Sequence, residues 1–474
     1  MKNVRDELLE LRDFIATPSV DSQLSALTPH DGRYTGSTNK LANYCSEAGL
    51  QRLRLLVEIE YLIYLNPHLI DMVSAQQLRN IYKEYDTVTA LRIKLIDKKI
   101  NHDVKAVEYF ICDRLDEMNR ADLKPHVHKF LTSEDVTNAA IGMMVYLVYS
   151  QVIHPELAKL LHTLSDCARK WKGQPMLART HGQPASPTTV GKEFAIYASR
   201  VSQIIQKLDE LPITIKWNGA SGNFNAHVAA DPDCDWIDFS TRFVEDHLGF
   251  IVDLYTAQTN NYMYLADILH QYKNLCSVLI DLCQDVWLYI SYDNFKLKAK
   301  DGEVGSSVMP HKVNPIDFEN AEGNLGLAEI IFGYLASKLQ KSRMQRDLSD
   351  STTLRNLGVH FGSLMIALKS IMRGLGKIDI NQQKLQEDLD RNPAVLAEAI
   401  QSVMRECNIP DGYERLKEIT RGKQVDLSTL RIFIDSLELE LPVDAFDYLS
   451  HIVPSKYTGC AEQLVDQFLH KTNR

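Results

Sequence analysis

The sequence predicts an all-α protein, and three observations carry that reading. Prolines are absent between Pro232 and Pro310 and again between Pro315 and Pro393, so nothing in those intervals breaks a long helix. Apolar residues recur there at helical spacing. No run alternates apolar and polar residues for long enough to suggest a large sheet.

Taken in order, the chain opens on "MKNVRDELLELRDFIATP", an amphipathic, charged stretch without the apolar run of a signal peptide. "NHDVKAVEY" places His102 at a helix start, and a boundary falls near Asp122–Pro125. In "LTSEDV", Thr132 and Ser133 precede a helix whose first turn holds Glu134 and Asp135, a capping pattern. That helix runs from Thr137 to Trp171, with a kink expected at Pro155. Between Ala139 and Tyr149 it is apolar on nearly every face, so burial on all sides is expected. A bundle shared between subunits is favoured over one large monomeric core. "RTHGQPASPTTVGKE" holds His181 in a Gly/Pro-containing loop leading into a helix, and "NGASGN" from Asn218 reads as a plain turn. Further helices are expected over 261–293, 318–339 and 352–375, with a second boundary near Gly376–Ile380. The resulting domains are 1–122, 123–375 with the long helices, and 376–474.

Composition narrows the function. A chain of 474 residues exceeds one ordinary domain. Its charge, 52 − 62 = −10, argues against general affinity for nucleic acid. No apolar run reaches the roughly 18 residues needed to cross a bilayer. Eight cysteines lie scattered without a CxxC pair, which suits reduced thiols in a cytoplasmic protein. His126 and His128 have no carboxylate or cysteine cluster beside them, so no metal is expected there.

"GSSVMPHKVNPIDFEN" from Gly305 is the least ordinary stretch. Glycines at 302 and 305 and two serines precede Lys312, then Asn314 suits an N-cap and Pro315 a first helical position. "QRDLSDSTTLRN" adds Arg346, Ser351, Thr352, Thr353 and Arg355, and "HDGRY" adds Arg33 and Tyr34. Singly, such groups are caps, surface histidines or solvated charges. Together, hydroxyl-rich helix starts carrying His, Lys and Arg collect N–H donors and positive charge, which suits a polyanionic small molecule.

These strings resemble a known family. "GSSVMPHKVNP" is similar to the signature loop of the aspartase/fumarase superfamily, whose members eliminate fumarate from a substituted succinate. The histidine of "MPHK", with "NHDVKAVEYF", "TSEDVTN", "RTHGQPASPTTVGKE", "NGASGNFNAH" and "QRDLSDSTTLRNLG", resembles the adenylosuccinate lyases of the longer bacterial type. The likeness runs from about His30 to the C-terminus; residues 1 to 22 fall outside it as an added helix, and "KPHVHKFLTSED" departs from the usual pattern.

The resemblance implies a three-domain lyase fold with a helical bundle shared in a homotetramer, active sites shared between subunits, and no cofactor. It implies cleavage of adenylosuccinate to AMP and of succinylaminoimidazole carboxamide ribotide to AICAR. Residue by residue, it makes Ser306 the base and His181 the acid, with Ser307, Lys312 and Asn314 holding the succinyl carboxylates and the developing aci-carboxylate. Arg33, Tyr34, Arg346, Ser351 and Arg355 fall to the nucleotide, and Thr352, Thr353 and Leu354 to substrate binding. Asn101, His102, Asp103, Thr132, Ser133, Thr180, Gln258 and Asn320 complete the pocket. The rivals are another fumarate-releasing lyase or cycloisomerase of the superfamily, and a non-catalytic structural protein of the same fold.

Overall fold

The computed structural model describes residues 3–298, 309, 312–421 and 425–472. Helices dominate, and three two-stranded sheets are the only sheets among the described residues. Two are brief: Thr214–Ile215 runs parallel to Ile251–Val252, and Phe295–Leu297 antiparallel to Ile378–Ile380. The third, Pro175–Thr180 with Gln183–Thr189, is antiparallel and carries a functional candidate at its tip.

The chain forms two compact units, one of Met1–Ala158, Ile204–Ile280 and Asn320–Ser370, the other of Lys159–Gln203, Asp281–Glu319 and Ile371–Arg474. In the first, the helix Glu47–Leu65 is the axis, buried without interruption from Gln51 to Leu62 and packed against the helix Ser133–Leu147. Ser46 starts it, its side chain accepting from Gly49 N at 3.0 Å. This buried run includes Arg52, Arg54, Glu58 and Glu60, and buried charges need partners. Glu60 accepts from Arg79 at 2.8 and 2.9 Å and from Tyr82 Oη at 2.6 Å, and its other oxygen lies 3.0 Å from His247 Nε2. Burial alone would raise its pKa, but those hydrogen bonds and the Arg79 charge pull it to about 2.

The N-terminal segment belongs to this unit. Val4 and Leu8 are buried, Phe14 N and Ile15 N donate to Asn43 Oδ1, and the Arg5 guanidinium sits 4.7 Å over the Tyr146 ring. Instead of one added helix, residues 4–8 and 20–24 form two short ones with irregular chain between.

The second unit includes a helical C-terminal cluster with its own core, built on Leu396, Ile400, Met404, Leu430, Ile434 and Leu449. Outside that cluster, in the same unit, Phe194 of the helix Val190–Glu210 stacks on Phe295 at 6.0 Å.

Three expectations about the long helices are refined. The stretch from Ser133 to Lys170 changes to π-helical winding over Val148–Ile153 just before Pro155, so a wide turn replaces the simple proline kink. Ala139–Val145 are buried within this single chain, so all-round apolarity there required no second subunit. One 18-residue window of the stretch is long and apolar enough to cross a membrane, and 72% of it is buried inside the protein. Finally, 352–375 is not one helix: Ser349–Leu354 ends before Leu357–Lys377 begins, leaving Arg355 at the break.

Candidate active site

Helix starts build one polar region in the first unit. The chain leaves the helix Thr87–Ile100 through Asn101, at φ 54°, whose N–H closes on Asp97 O at 2.7 Å. His102 then caps the helix Asp103–Glu117, its Nδ1 accepting from Lys105 N at 3.1 Å. That bond leaves the ring proton of neutral His102 on Nε2. Asp103 faces two arginines: its Oδ2 accepts from Arg54 Nη1 at 2.8 Å and from Arg355 Nη2 at 3.0 Å. Burial would raise the Asp103 pKa, but Arg54 first and Arg355 second draw it down to about 2.

The "TSED" helix start is anchored from below. Asp135 Oδ2 accepts from Thr132 N at 2.9 Å, the return half of a capping box. Its Oδ1 takes the Lys216 ammonium, with both side chains fully buried, and lies 3.2 and 3.3 Å from the N–H groups of Asn218 and Gly219. Lys216 Nζ also donates to Gly219 O at 2.7 Å, and Asn138 bridges the Lys216 backbone at both N and O. "NGASGN" is therefore more than a plain turn. Gly222, at φ 80°, lies so close to Thr256 O that an added Cβ would sit 2.0 Å from it.

Above that anchor, Arg346 Nη1 stands 2.9 Å from Glu134 Oε2 and 3.5 Å from Asp350 Oδ2. Tyr262 Oη donates to the other Glu134 oxygen at 3.0 Å. Burial raises the Glu134 pKa, outweighing the Arg346 attraction. Gln258 reaches the same neighbourhood, its N–H donating to Gln345 O at 3.3 Å.

These pieces enclose a cavity of about 410 Å³ lined by Asn101, His102, Asp103, Ser133, Arg346, Ser351 and Arg355, with Arg54, Glu134 and Thr137. An adjoining space of about 250 Å³ adds Leu354, Ile141 and Met144, an apolar wall beside the charged one. Seven predicted residues thus line one space, and Leu354 the next. Thr132 works as a cap, Thr353 Oγ1 donates to Asp350 O at 2.8 Å, and Thr352 is exposed. Arg33, Tyr34 and Asn320 form a separate group, absent from both linings: Tyr34 Oη donates to Asn320 Oδ1 at 3.1 Å and the Arg33 guanidinium lies 5.9 Å from the Tyr34 ring. His128, half of the His-Val-His pair, turns to Glu58, Nδ1 to Oε1 2.5 Å.

In the second unit, Thr180 pairs with Gln183, so His181 and Gly182 are the two central residues of a tight hairpin turn. Both have positive φ, 54° and 73°, the conformation that lets a two-residue turn follow the strand twist. The loop expected around His181 is this hairpin, which runs directly into the helix at Val190. His181 is exposed and makes no side-chain hydrogen bond or ion pair to a described residue. Lys312 is exposed, with its N–H on Met309 O at 3.0 Å. The following helix starts at Ile316, one residue later than expected, because the Pro315 carbonyl is the first to accept, from Phe318 N at 3.0 Å. Asp317 in its first turn is matched by Arg373 at 3.1 Å and Lys377 at 2.9 Å. Ser306 and Ser307, with Gly302 and Gly305, lie outside the described residues.

Sequence reasoning passed over Arg54, Glu134, Tyr262 and Lys216 as site components. A signal existed for the first: "LQRLRLLVEIEYL" sets charges into an otherwise apolar helix, and such charges survive burial only when paired.

Two family models match the chain, one described as Lyase over residues 34–331 and one as Adenylosuccinate lyase C-terminal over residues 342–458. Adenylosuccinate lyase of Legionella pneumophila (strain Corby) is 44% identical over 453 residues, covering 94% of this chain and 99% of the relative. Those of Dictyostelium discoideum and Escherichia coli (strain K12) are each 43% identical over 454 residues, covering 92% and 94% of this chain and 97% and 99% of theirs. Two solved structures share the fold. The 3-carboxy-cis,cis-muconate lactonizing enzyme from Pseudomonas putida has a TM-score of 0.71 at 18% identity, over 92% of this chain and 97% of that one. Fumarate lyase from Mesorhizobium sp. BNC1 has a TM-score of 0.73 at 15% identity, over 91% and 97%.

Proposed function

The chain belongs to the adenylosuccinate lyase family, and we propose that its polar regions divide fumarate elimination between anchoring the nucleotide and moving protons. The reaction cleaves adenylosuccinate to AMP and fumarate in purine biosynthesis, and the same chemistry releases fumarate from succinylaminoimidazole carboxamide ribotide. The observation that carries the division is the single cavity lined by Asn101, His102, Asp103, Ser133, Arg346, Ser351 and Arg355. Its guanidinium groups offer the forked donors that suit a phosphate, and its apolar neighbour suits a purine. Arg33, Tyr34, Thr132, Thr180, Gln258, Asn320, Thr352, Thr353 and Leu354 complete the proposed binding set.

For the chemistry, Ser306, as its alkoxide, takes the proton from the carbon next to a succinyl carboxylate and becomes the neutral hydroxyl. The product is a carbanion whose extra charge delocalises into that carboxylate. Lys312, Asn314, Ser307 and the positive end of the 316–339 helix dipole stabilise this charge where it develops. Pairing of Asp317 with Arg373 and Lys377 supports this role, because it cancels a carboxylate that would oppose an anion there. His181 delivers a proton to the departing amine; its exposure suits a group that must meet substrate.

The proposed assembly is a cytoplasmic homotetramer whose sites combine loops from different subunits. Each chain keeps an N-terminal domain 1–122, a long-helix domain 123–375 and a C-terminal domain 376–474. Leu327, Ile330 and Tyr334 support a subunit contact, being exposed by 62, 70 and 51% along one face of the 316–339 helix. In this assembly His181 and Ser306 of one site come from different chains. The test mixes inactive, folded His181→Ala and Ser306→Ala proteins under conditions of subunit exchange. Adenylosuccinate cleavage, followed by ultraviolet absorbance, should return in proportion to hybrid tetramers. Hybrids confirmed by native mass spectrometry without activity would sink the shared site.

A further inference from the structure

Arg54 has no assigned role, yet it is the buried member of the charge cluster beside the cavity. Its side chain is only 6% exposed, and it lines both adjoining spaces. Its Nε–H is buried without a hydrogen-bond partner among the described residues, so the Asp103 carboxylate is its principal tie. One carboxylate oxygen, Asp103 Oδ2, therefore holds a buried guanidinium at 2.8 Å and an exposed one at 3.0 Å, the Arg355 side chain being 55% exposed. Asp103 Oδ1 is taken by Val104 N at 3.0 Å, which locks the carboxylate to the helix start.

The charges of this cluster sum to Arg54 (+1), Arg355 (+1) and Asp103 (−1). With Arg54 present, Asp103 stays neutralised when Arg355 swings to a ligand. Without it, the only guanidinium left on Asp103 is Arg355, and an incoming anion must both compete for Arg355 and leave a carboxylate unpaired beside it. The remaining charged groups facing this corner do not substitute for Arg54. Lys94 is shared by Glu47 at 2.5 Å and Asp97 at 3.6 Å, and Arg346 stands against Glu134 and Asp350.

We propose that Arg54 is a positioning residue for nucleotide binding: by holding Asp103, it releases Arg355 to grip the substrate's anionic end. The inference rests on the reading of Arg355 as a phosphate ligand. It places Arg54 behind the ligand shell, with its effect passing through Asp103.

The test compares Arg54→Met, Arg54→Lys and the double variant Arg54→Met/Asp103→Asn in the full-length protein. Substrates are adenylosuccinate and its dephosphorylated nucleoside. Arg54→Met should raise KM for the nucleotide about tenfold or more, the scale of a lost charge-assisted hydrogen bond, with kcat within about twofold. The nucleoside KM should hardly move, and Arg54→Lys should recover part of the loss. Adding Asp103→Asn should lower the raised nucleotide KM at least threefold, because the carboxylate that captures Arg355 is gone. A double variant no better than Arg54→Met, or equal losses on nucleotide and nucleoside, overturns the proposal. If Arg54→Met proves unfolded by circular dichroism, Arg54→Gln enters the same comparison. Arg355→Ala is the control for the underlying reading: if it weakens both substrates equally, the phosphate assignment fails before Arg54 is judged.

Discussion

The cavity of the first unit and the hairpin tip of the second treat charge in opposite ways. Around the cavity nearly every ionisable group is paired: Arg54 and Arg355 on Asp103, Arg346 on Glu134, Lys216 on Asp135. At the tip, His181 stands in solvent on a two-residue turn, without a partner among the described residues. The difference follows from the tasks proposed for them. A group that grips a phosphate works best when its geometry is set in advance, since ordering a long side chain at binding costs affinity. A group that transfers a proton must reach the reacting atom, and an exposed hairpin tip leaves it accessible.

Substitutions can break or sharpen this contrast. The largest effect is expected at the tip. His181→Ala should lower kcat by about 10²–10⁴-fold, the usual worth of general acid catalysis, with KM little changed and melting temperature intact. A matching loss of stability would place His181 with the structural groups. Next comes the anchor under the cavity. Lys216→Met leaves Asp135 buried without its counter-charge and should cost about 3–5 kcal/mol of stability in chemical denaturation. A variant as stable as the parent would mean the pair does not hold the two segments.

Third is Arg346. Its replacement by Ala should raise KM for adenylosuccinate by roughly a hundredfold, and by Lys somewhat less, since a forked contact cannot be rebuilt by a point charge. Equal losses on the dephosphorylated nucleoside would show that it does not read the phosphate. The smallest effect concerns His128. Burial would lower its pKa, but the Glu58 charge and hydrogen bond, helped by Glu108, raise it above the ordinary value. A folded pKa above the unfolded one contributes stability fully present below about pH 6.5 and lost as pH rises through the folded value. His128→Gln should therefore destabilise by about 1.5 kcal/mol in mild acid and less at pH 9. A thermal-melting gap that widens toward alkaline pH would contradict the assignment.

Much of the scaffold was legible because its signals are local. The 263–291 and 316–339 helices stand within two residues of their expected bounds, since proline-free apolar periodicity extends through them. The caps at His102 and before Glu134 were equally readable, because a cap is a property of four adjacent residues. Signals that depend on neighbours were less faithful. Positive φ at both His181 and Gly182 turns a Gly/Pro loop into a hairpin, and the break at Arg355 interrupts a pattern that sequence alone continues.

The sequence by itself determined the helical class, the helix starts and, through its motif strings, the family to which the chain belongs. Those are set by propensity, periodicity and short spacing, all written along the chain. Tertiary structure alone decided which charges meet. Residues 54, 103 and 355 converge on one carboxylate, and 135, 216 and 219 on one buried ammonium. Such pairings carry no sequence period. They form because packing removes water from each ion, and a desolvated charge is tolerated only beside another of opposite sign.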